Sequence, residues 1–269
     1  MIRLVFGNLG SGKTLVLVRE LKLNRTECVT FSNIDTTLIP NNIKITADML
    51  FKKVVKSVNK KTGAKTYKLA FNKEFWIAVK NELKHFNIII DEAHIFMGSR
   101  DSMSSRNKIL SNFLSIGRKL IGGDRTNSIT LVSQTDKRVD VNARDLATLI
   151  SYRRMFYFVT CFKCGYKYSE CNETPKIIIN CPKCKARITQ KNQSNHIVEC
   201  LEFNNMESYQ AWKYFGEKAY FERSFVTDVN KYFDSYHTLQ WEDLLGDDLI
   251  DTLDDPLDEE PYIDEEGEN

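Results

Sequence analysis

The sequence predicts an α/β fold, a mostly parallel sheet covered by helices. Three observations predict it. Strand-like runs of β-branched and aromatic residues alternate with helix-length segments through residues 1–160, the order that crossover units impose. Two of those runs, 86–90 and 128–133, are almost continuously apolar, as strands buried on both faces must be. The first run, Ile2-Arg3-Leu4-Val5-Phe6, passes without a break into a glycine-rich octet and then a helix-forming segment, 15–21.

That octet, Gly7-Asn8-Leu9-Gly10-Ser11-Gly12-Lys13-Thr14, fits G-x-x-x-x-G-K-[ST] at every position. A strand before and a helix after are the context a phosphate-binding loop requires. Its glycines let successive backbone N–H groups turn toward phosphate oxygens at a helix N-terminus, whose dipole favours anions. All eight residues are expected to bind a nucleoside triphosphate, with ATP the expected cofactor. Lys13 is expected on the β- and γ-phosphates, and the Thr14 hydroxyl on Mg²⁺.

Further along, 27–31 reads as a strand, 43–46 as a short extended piece, and 47–53 as a helix. Residues 54–71 read as a hairpin turning at Lys60-Lys61-Thr62-Gly63, where Gly63 supplies the positive φ. Lysines within it and just before it, Lys52, Lys53, Lys56, Lys65 and Lys68 among them, suit either phosphate contacts or a soluble exposed edge. A helix over 74–84 leads into the buried strand Phe86-Asn87-Ile88-Ile89-Ile90-Asp91-Glu92. Helices are expected over 104–120 and 141–149, and strands over 128–134 and 154–160.

The strand ending Asp91-Glu92 supplies the second half of a nucleotide site. Asp91, at its carboxyl end, is expected to hold Mg²⁺ beside Thr14, and Glu92 to polarise the attacking water. A kinase needs no second acid of this kind, so the pair favours hydrolysis. Asp91-Glu92-Ala93-His94 also spells the DEAH box of helicases, but the chain lacks the length for two nucleotide-binding lobes, and His94 is read as an ordinary histidine. Gln134 ends the neighbouring strand and is the expected sensor of the γ-phosphate. An arginine must neutralise transition-state charge, often in trans. The candidates are Arg118, Arg125, Arg138 and Arg144, with Arg118 favoured and Arg144 next.

Seven cysteines in a chain of 269 residues without a secretion-type leader argue for metal binding rather than disulfides. Cys161-Phe162-Lys163-Cys164 and Cys181-Pro182-Lys183-Cys184 are two C-x₂-C pairs with sixteen residues between them. Each pair sets two thiolates on one side of a tight turn, and together they complete a tetrahedron around a structural Zn²⁺. This ribbon is open to three uses: a DNA-facing finger, a folding staple or a subunit contact. Cys28 and Cys200 read as core residues. Aromatics from Tyr209 to Phe221 have helix-like spacing and are expected on core-covering helices over 206–236.

The formal net charge of +2 conceals a segregation. From Glu242 onward the chain has 14 Asp or Glu and no Lys or Arg. Removing these 14 from the 36 acidic residues leaves 22 against 38 basic ones, a net +16 over residues 1–241. So basic a body points to a polyanionic partner, nucleic acid first. The acidic end reads as a disordered tail that competes with nucleic acid, recruits a partner or simply solvates the chain. No run of 18 or more apolar residues occurs, so nothing is expected to span a membrane, and a cytoplasmic location is expected, with the virion as a second place if the protein is viral.

The octet, Asp91-Glu92-Ala93-His94-Ile95-Phe96, Ile116-Gly117-Arg118-Lys119, Thr130-Leu131-Val132-Ser133-Gln134 and Val139-Asp140-Val141-Asn142-Ala143-Arg144 together resemble zonular occludens toxin (Zot)-type P-loop ATPases. These are relatives of the FtsK–HerA DNA-pumping group and include viral genome-packaging ATPases. Tyr232-Phe233-Asp234-Ser235-Tyr236-His237-Thr238 resembles a late motif in some packaging ATPases. The resemblance covers roughly residues 1–160 and this late motif. It implies an ATP-driven translocase of double-stranded DNA, working as a homo-oligomeric ring in which a neighbour supplies the arginine, with a capsid or membrane protein as a further partner. Two departures stand out: phage assembly ATPases of this type commonly carry a transmembrane helix, and the group does not generally carry the cysteine pairs. The expected division is an ATPase core over 1–160, a zinc ribbon over 161–195, core-completing elements over 196–241 and the acidic tail over 242–269. Two other readings stay open: a thymidine kinase-like enzyme with structural zinc, and a nucleotide-gated adaptor without turnover.

Overall fold

The computed structural model describes residues 1–23, 28–59, 62–83, 85–93, 113–115, 117, 119, 127–139, 141–171, 173, 180–187, 193–233 and 236–238. Its strands are β1 (Ile2–Phe6), β2 (Val29–Ser32), β3 (Ile34–Asp35), β4 (Asn42–Lys44), β5 (Phe51–Val58), β6 (Lys65–Phe71), β7 (Phe86–Ile90), β8 (Ser128–Ser133), β9 (Leu149–Thr160), β10 (Lys167–Cys171), β11 (Gln193–Phe203), β12 (Glu222–Val226) and β13 (His237–Thr238). The helices are α1 (Lys13–Lys22), α2 (Ala47–Leu50), α3 (Lys73–Glu82), α4 (Val141–Leu146) and α5 (Met206–Phe215).

The main sheet runs β12-β11-β9-β1-β8-β7-β2-β4, with β10 added alongside β9. From β9 to β4 every pairing is parallel. The pairings β9–β11, β11–β12 and β9–β10 are antiparallel. The parallel half is the α/β core that the alternating pattern predicts. β8 lies between β1, which feeds the loop, and β7, which ends at Asp91.

Pleating divides the apolar residues between two cores. Ile2, Leu4 and Phe6 of β1 join Trp76, Phe86, Ile88, Leu201 and Tyr209 on one face. Val5 joins Leu15, Val18 and Leu21 of α1 on the other, together with Ile89, Val132, Met155 and Val198. The helices are started and stopped by side chains suited to it. The Asn72 and Asn205 carboxamides accept the backbone N–H of Phe75 and Ser208, capping α3 and α5. Gly216 ends α5 at φ 74°, the left-handed cap that glycine adopts without strain.

Several sequence boundaries shift. α2 stops at Leu50 rather than 53, because Phe51 already pairs with Phe71 in the hairpin of β5 and β6. α4 ends at Leu146 and β9 starts at Leu149, five residues before the expected strand, since its first residues pair with β1 beneath the loop. The helices expected beyond α5 are not formed: 222–226 is the edge strand β12, and Val229–Tyr232 is a single 3₁₀ turn. The aromatic spacing was therefore a poor guide there, and Phe215, Phe221 and Phe225 are exposed. Cys200 is buried as expected, but Cys28 is only half-buried. Of the 104–120 helix, residues 113–115, 117 and 119 are helical and the rest lies outside the described residues.

One ionic cluster, with Arg153 buried at its centre and Glu20 at its partly exposed rim, fastens α1 to the sheet. Arg3 of β1 lies 2.7 Å from Glu20 of α1 and 3.3 Å from Glu202 of β11. Arg153 of β9, 1 % exposed, lies 2.8 Å from Glu202 and 3.5 Å from Glu20. The Ser151 hydroxyl accepts from Arg3 Nε at 2.7 Å and donates to Glu202. Burial by itself raises the Glu20 carboxyl, but Arg3 and Arg153 outweigh it and hold Glu20 below its ordinary 4.5. A depressed carboxylate contributes its stability above the ordinary value and loses it as pH falls through the folded one. Arg153→Met is therefore expected to cost about 3–5 kcal/mol at neutral pH by leaving Glu202 buried and under-compensated. The deficit should shrink in acid as Glu20 protonates. Urea unfolding at neutral and acid pH measures both, and an unchanged neutral midpoint contradicts the assignment.

Candidate functional site

The loop from Gly7 to Thr14 connects β1 to α1 and is shaped by close packing as much as by turn chemistry. A Cβ on Gly7 would lie 2.3 Å from the Arg153 carbonyl oxygen, and one on Gly12 2.6 Å from Val198 Cγ2. Gly10 and Gly12 also hold φ at 72° and 80°, values that a side chain strains. Ser11 and Lys13 are buried, whereas Asn8, Leu9 and Gly10 stand exposed at the crest. Lys13 Nζ donates back to the carbonyls of Gly7 (2.8 Å) and Asn8 (3.2 Å). Burial lowers the Lys13 ammonium, and the charges of Asp91 and Glu92 push the other way. A cation thus waits inside a ring of backbone, partly desolvated, where a phosphate would stabilise it.

Across from it, the Thr14 hydroxyl donates to Asp91 Oδ2 at 2.7 Å. The structure thus joins the two halves that the sequence suggested separately. Asp91 is 2 % exposed at the end of β7. Its other oxygen accepts the Glu92 N–H at 2.9 Å. Glu92 takes φ 53°, a left-handed backbone uncommon for a non-glycine residue and typical of constrained functional sites. Two hard oxygen ligands side by side, a hydroxyl and a carboxylate, suit Mg²⁺.

Two residues enter this site that sequence reasoning gave no role. Asn33, fully buried between β2 and β3, grips the Asp91 main chain from both sides: its Oδ1 accepts from Asp91 N at 2.8 Å, and its Nδ2 donates to Asp91 O at 3.1 Å. Tyr236 belongs to the late motif, and β13 beside it pairs with β3. Burial and the charge of Asp91 push the Tyr236 phenol up to about 12. The motif resemblance flagged the segment containing Tyr236. Asn33 carried no signal, because its partners are main-chain atoms.

Gln134 sits at the tip of β8, between the loop strand and the Asp91 strand, and its Oε1 accepts from Arg138 at 3.1 Å. Arg144 lies on α4 and its charge acts on the Tyr214 phenol. Tyr214 in turn donates to Asp136 at 3.3 Å, and Lys213 approaches the same carboxylate at 2.5 Å. Among the described contacts, Arg144 touches none of Lys13, Asp91 and Glu92. Arg118, Arg125 and His94 lie outside the described residues.

The four cysteines of the two pairs converge. Cys161 and Cys184 sulfurs are 3.6 Å apart, Cys164 and Cys181 sulfurs 3.7 Å, and all four lie within 4.8 Å of one another. Zn–S bonds of about 2.3 Å in a tetrahedron require sulfur separations of about 3.8 Å, so the set fits zinc. The two turns repeat one hydrogen-bond scheme. Gly165 N donates to Cys161 O at 2.8 Å and Lys185 N to Cys181 O at 2.9 Å. The Cys164 backbone N–H lowers the Cys161 thiol. Cys171 is half-buried on β10 and outside the cluster.

No known family profile matches the chain, and no curated protein matches it. Solved structures do. The N-terminal domain of zonular occludens toxin from Neisseria meningitidis is similar at 18% identity and a TM-score of 0.42, covering 88% of this chain and 98% of that one. The genome packaging NTPase B204 from Sulfolobus turreted icosahedral virus 2, in complex with ATP-gammaS, is similar at 16% identity and a TM-score of 0.35, covering 61% of this chain and 78% of that one. Both kinds of protein are those the motif resemblance names. No described helix is long and apolar enough to cross a membrane.

Two outcomes are expected. ATP at a hundredfold excess over its Kd should stabilise the protein by about 2.7 kcal/mol, and Lys13→Met should abolish that gain in a thermal-shift measurement. The nucleotide-free variant should be no less stable than the parent, because it no longer buries an ammonium group. A Lys13→Met protein still stabilised by ATP contradicts the site. Purified protein should also carry about one zinc per chain by metal analysis, and Cys181→Ser should lose it.

Proposed function

We propose that the chain is an ATP-hydrolysing, DNA-translocating motor of the viral genome-packaging kind, acting as a ring of identical subunits. The observation that carries the reading is the Thr14–Asp91 contact at 2.7 Å with Glu92 next in the chain. It brings the phosphate loop, the metal-holding carboxylate and a base into one small site. In this reading Thr14 and Asp91 would hold Mg²⁺, which would supply charge neutralisation to the phosphates. Lys13 leaves the Gly7 and Asn8 carbonyls for the phosphate oxygens. Glu92 accepts the proton of the attacking water, and Gln134 orients that water or senses the γ-phosphate. A neighbouring subunit supplies Arg118 or Arg144.

The partner is read from charge. A net +16 over residues 1–241 suits a polyanion far longer than ATP, and double-stranded DNA is the proposed one. The hairpin of β5 and β6 forms its own two-stranded sheet, with Lys53, Lys56, Lys65 and Lys68 along it, and is the proposed phosphate contact. A capsid or membrane protein is the proposed dock, and the host cytoplasm or the virion the place of work. Zinc is held by Cys161, Cys164, Cys181 and Cys184 with no position left open for chemistry.

The test is ATP turnover with and without long duplex DNA over a salt series. Stimulation by DNA that fades as salt rises is expected, since phosphate contacts release counterions. Glu92→Gln should retain ATP binding and lose at least about a hundredfold in turnover. Turnover indifferent to DNA at every salt concentration overturns the motor reading. Turnover that appears only with added nucleoside points to a kinase, and full partner binding by Glu92→Gln to an adaptor.

A further inference from the structure

The ribbon's side chains exceed what a metal staple needs. Four thiolates and two tight turns suffice to hold zinc. Yet Phe162, between the first two cysteines, is 70% exposed, and Tyr166 at the base of the same turn is 40% exposed. Tyr166 is stacked on Tyr168 with ring centroids 6.3 Å apart and planes at 20°. Lys163, Lys183, Lys185 and Arg187 are all exposed on the same two turns. None has a carboxylate partner among the described residues, whereas Arg154 and Arg223 elsewhere on the antiparallel strands are paired with Glu199.

The two turns also differ at one equivalent position. Four residues after its first cysteine the first turn has Gly165 at φ 69°, and the second has Lys185 at φ 60°. Glycine takes this conformation freely and lysine does not. A cation therefore stands where the backbone favours glycine, so the second turn holds a charge at some cost in conformational strain.

We propose that the paired cysteine turns form a binding surface for single-stranded nucleic acid, with Phe162 and Tyr166 stacking on unpaired bases and the four cations meeting the phosphates. Exposed rings among cations are the components of a sequence-tolerant single-strand platform. Duplex phosphates would use the cations alone, because paired bases present no face to a ring. An acidic peptide would likewise use the cations and leave the rings without a partner. The surface lies beyond the nucleotide site and does not depend on turnover.

The experiment uses the full chain, zinc-loaded and nucleotide-free, in a Lys13→Met background that separates binding from turnover. Fluorescein-labelled oligothymidylate is titrated by anisotropy over a salt series. Phe162→Ala is expected to weaken binding about tenfold, within the range for one stacked base, with zinc content unchanged. Lys185→Gly gives effects of opposite sign. It should harden the ribbon against a chelator, because the turn relaxes, and it should weaken oligothymidylate binding while flattening the log–log salt slope by about 0.7. Affinity unchanged by both substitutions overturns the proposal. So does a polyglutamate peptide that binds more tightly than oligothymidylate with the same Lys185 dependence, which would make the surface a protein dock. Failure of duplex DNA to stimulate ATP turnover would leave this result standing, and the two readings fail separately.

Discussion

The architecture depends on how closely the phosphate loop can approach the two strands beneath it. Gly7 lies against the Arg153 carbonyl, and Gly12 against Val198, so β9 and β11 form the floor of the loop. The ionic cluster of Arg3, Glu20, Arg153 and Glu202 then fastens α1 to that floor. Loop, helix and strands are tied together through Arg153, whose buried guanidinium is paired with Glu202 and Glu20 and would lose those partners if either element shifted. A loop held this way keeps its N–H groups oriented before any ligand arrives, which is the preorganisation that anion binding requires.

The carboxylate side is built on a different principle. Thr14 reaches the Asp91 side chain, but Asn33 holds the Asp91 main chain through a reciprocal pair of hydrogen bonds. Fixing the backbone leaves both carboxylate oxygens available, one to Thr14 and one to the Glu92 N–H. The left-handed turn at Glu92 is sustained by these bonds on its N-terminal side. β13 pairs with β3 close to Asn33, so the last described segment of the chain is tied to the same place.

The parallel half of the fold was legible because each of its strands is a short apolar run between recognisable breaks. The loop residues and Asp91 were legible because their chemistry demands fixed residue types at fixed spacing, and the four cysteines for the same reason. What stayed hidden depends on partners distant in sequence. Asn33 looks like any polar residue after a strand until Asp91 is placed beside it. Arg153 looks like a surface cation within 149–160, although it is 1% exposed, because its partners lie on β11 and α1. The aromatics after Phe215 misled for the opposite reason. Their helix-like spacing was present, but an edge strand leaves most of them in solvent, and periodicity reports a buried face only where one exists.

The antiparallel pair β9 and β11 connects the loop to the cysteine turns. Its root, where Ile150 pairs with Phe203 and Met155 with Val198, packs under the loop in both cores. Its far end carries Thr160, one residue before Cys161, the first cysteine of the cluster. At about 3.3 Å per residue, the eight steps from Arg153 to Cys161 span about 26 Å. The root is held by buried side chains on both faces and by the ionic cluster, whereas the far end carries β10 and the two cysteine turns. The base of the ribbon is therefore fixed by contacts that involve none of the four cysteines. A small cysteine module can be carried there without disturbing the loop, because the strands that reach it are anchored where the loop needs them.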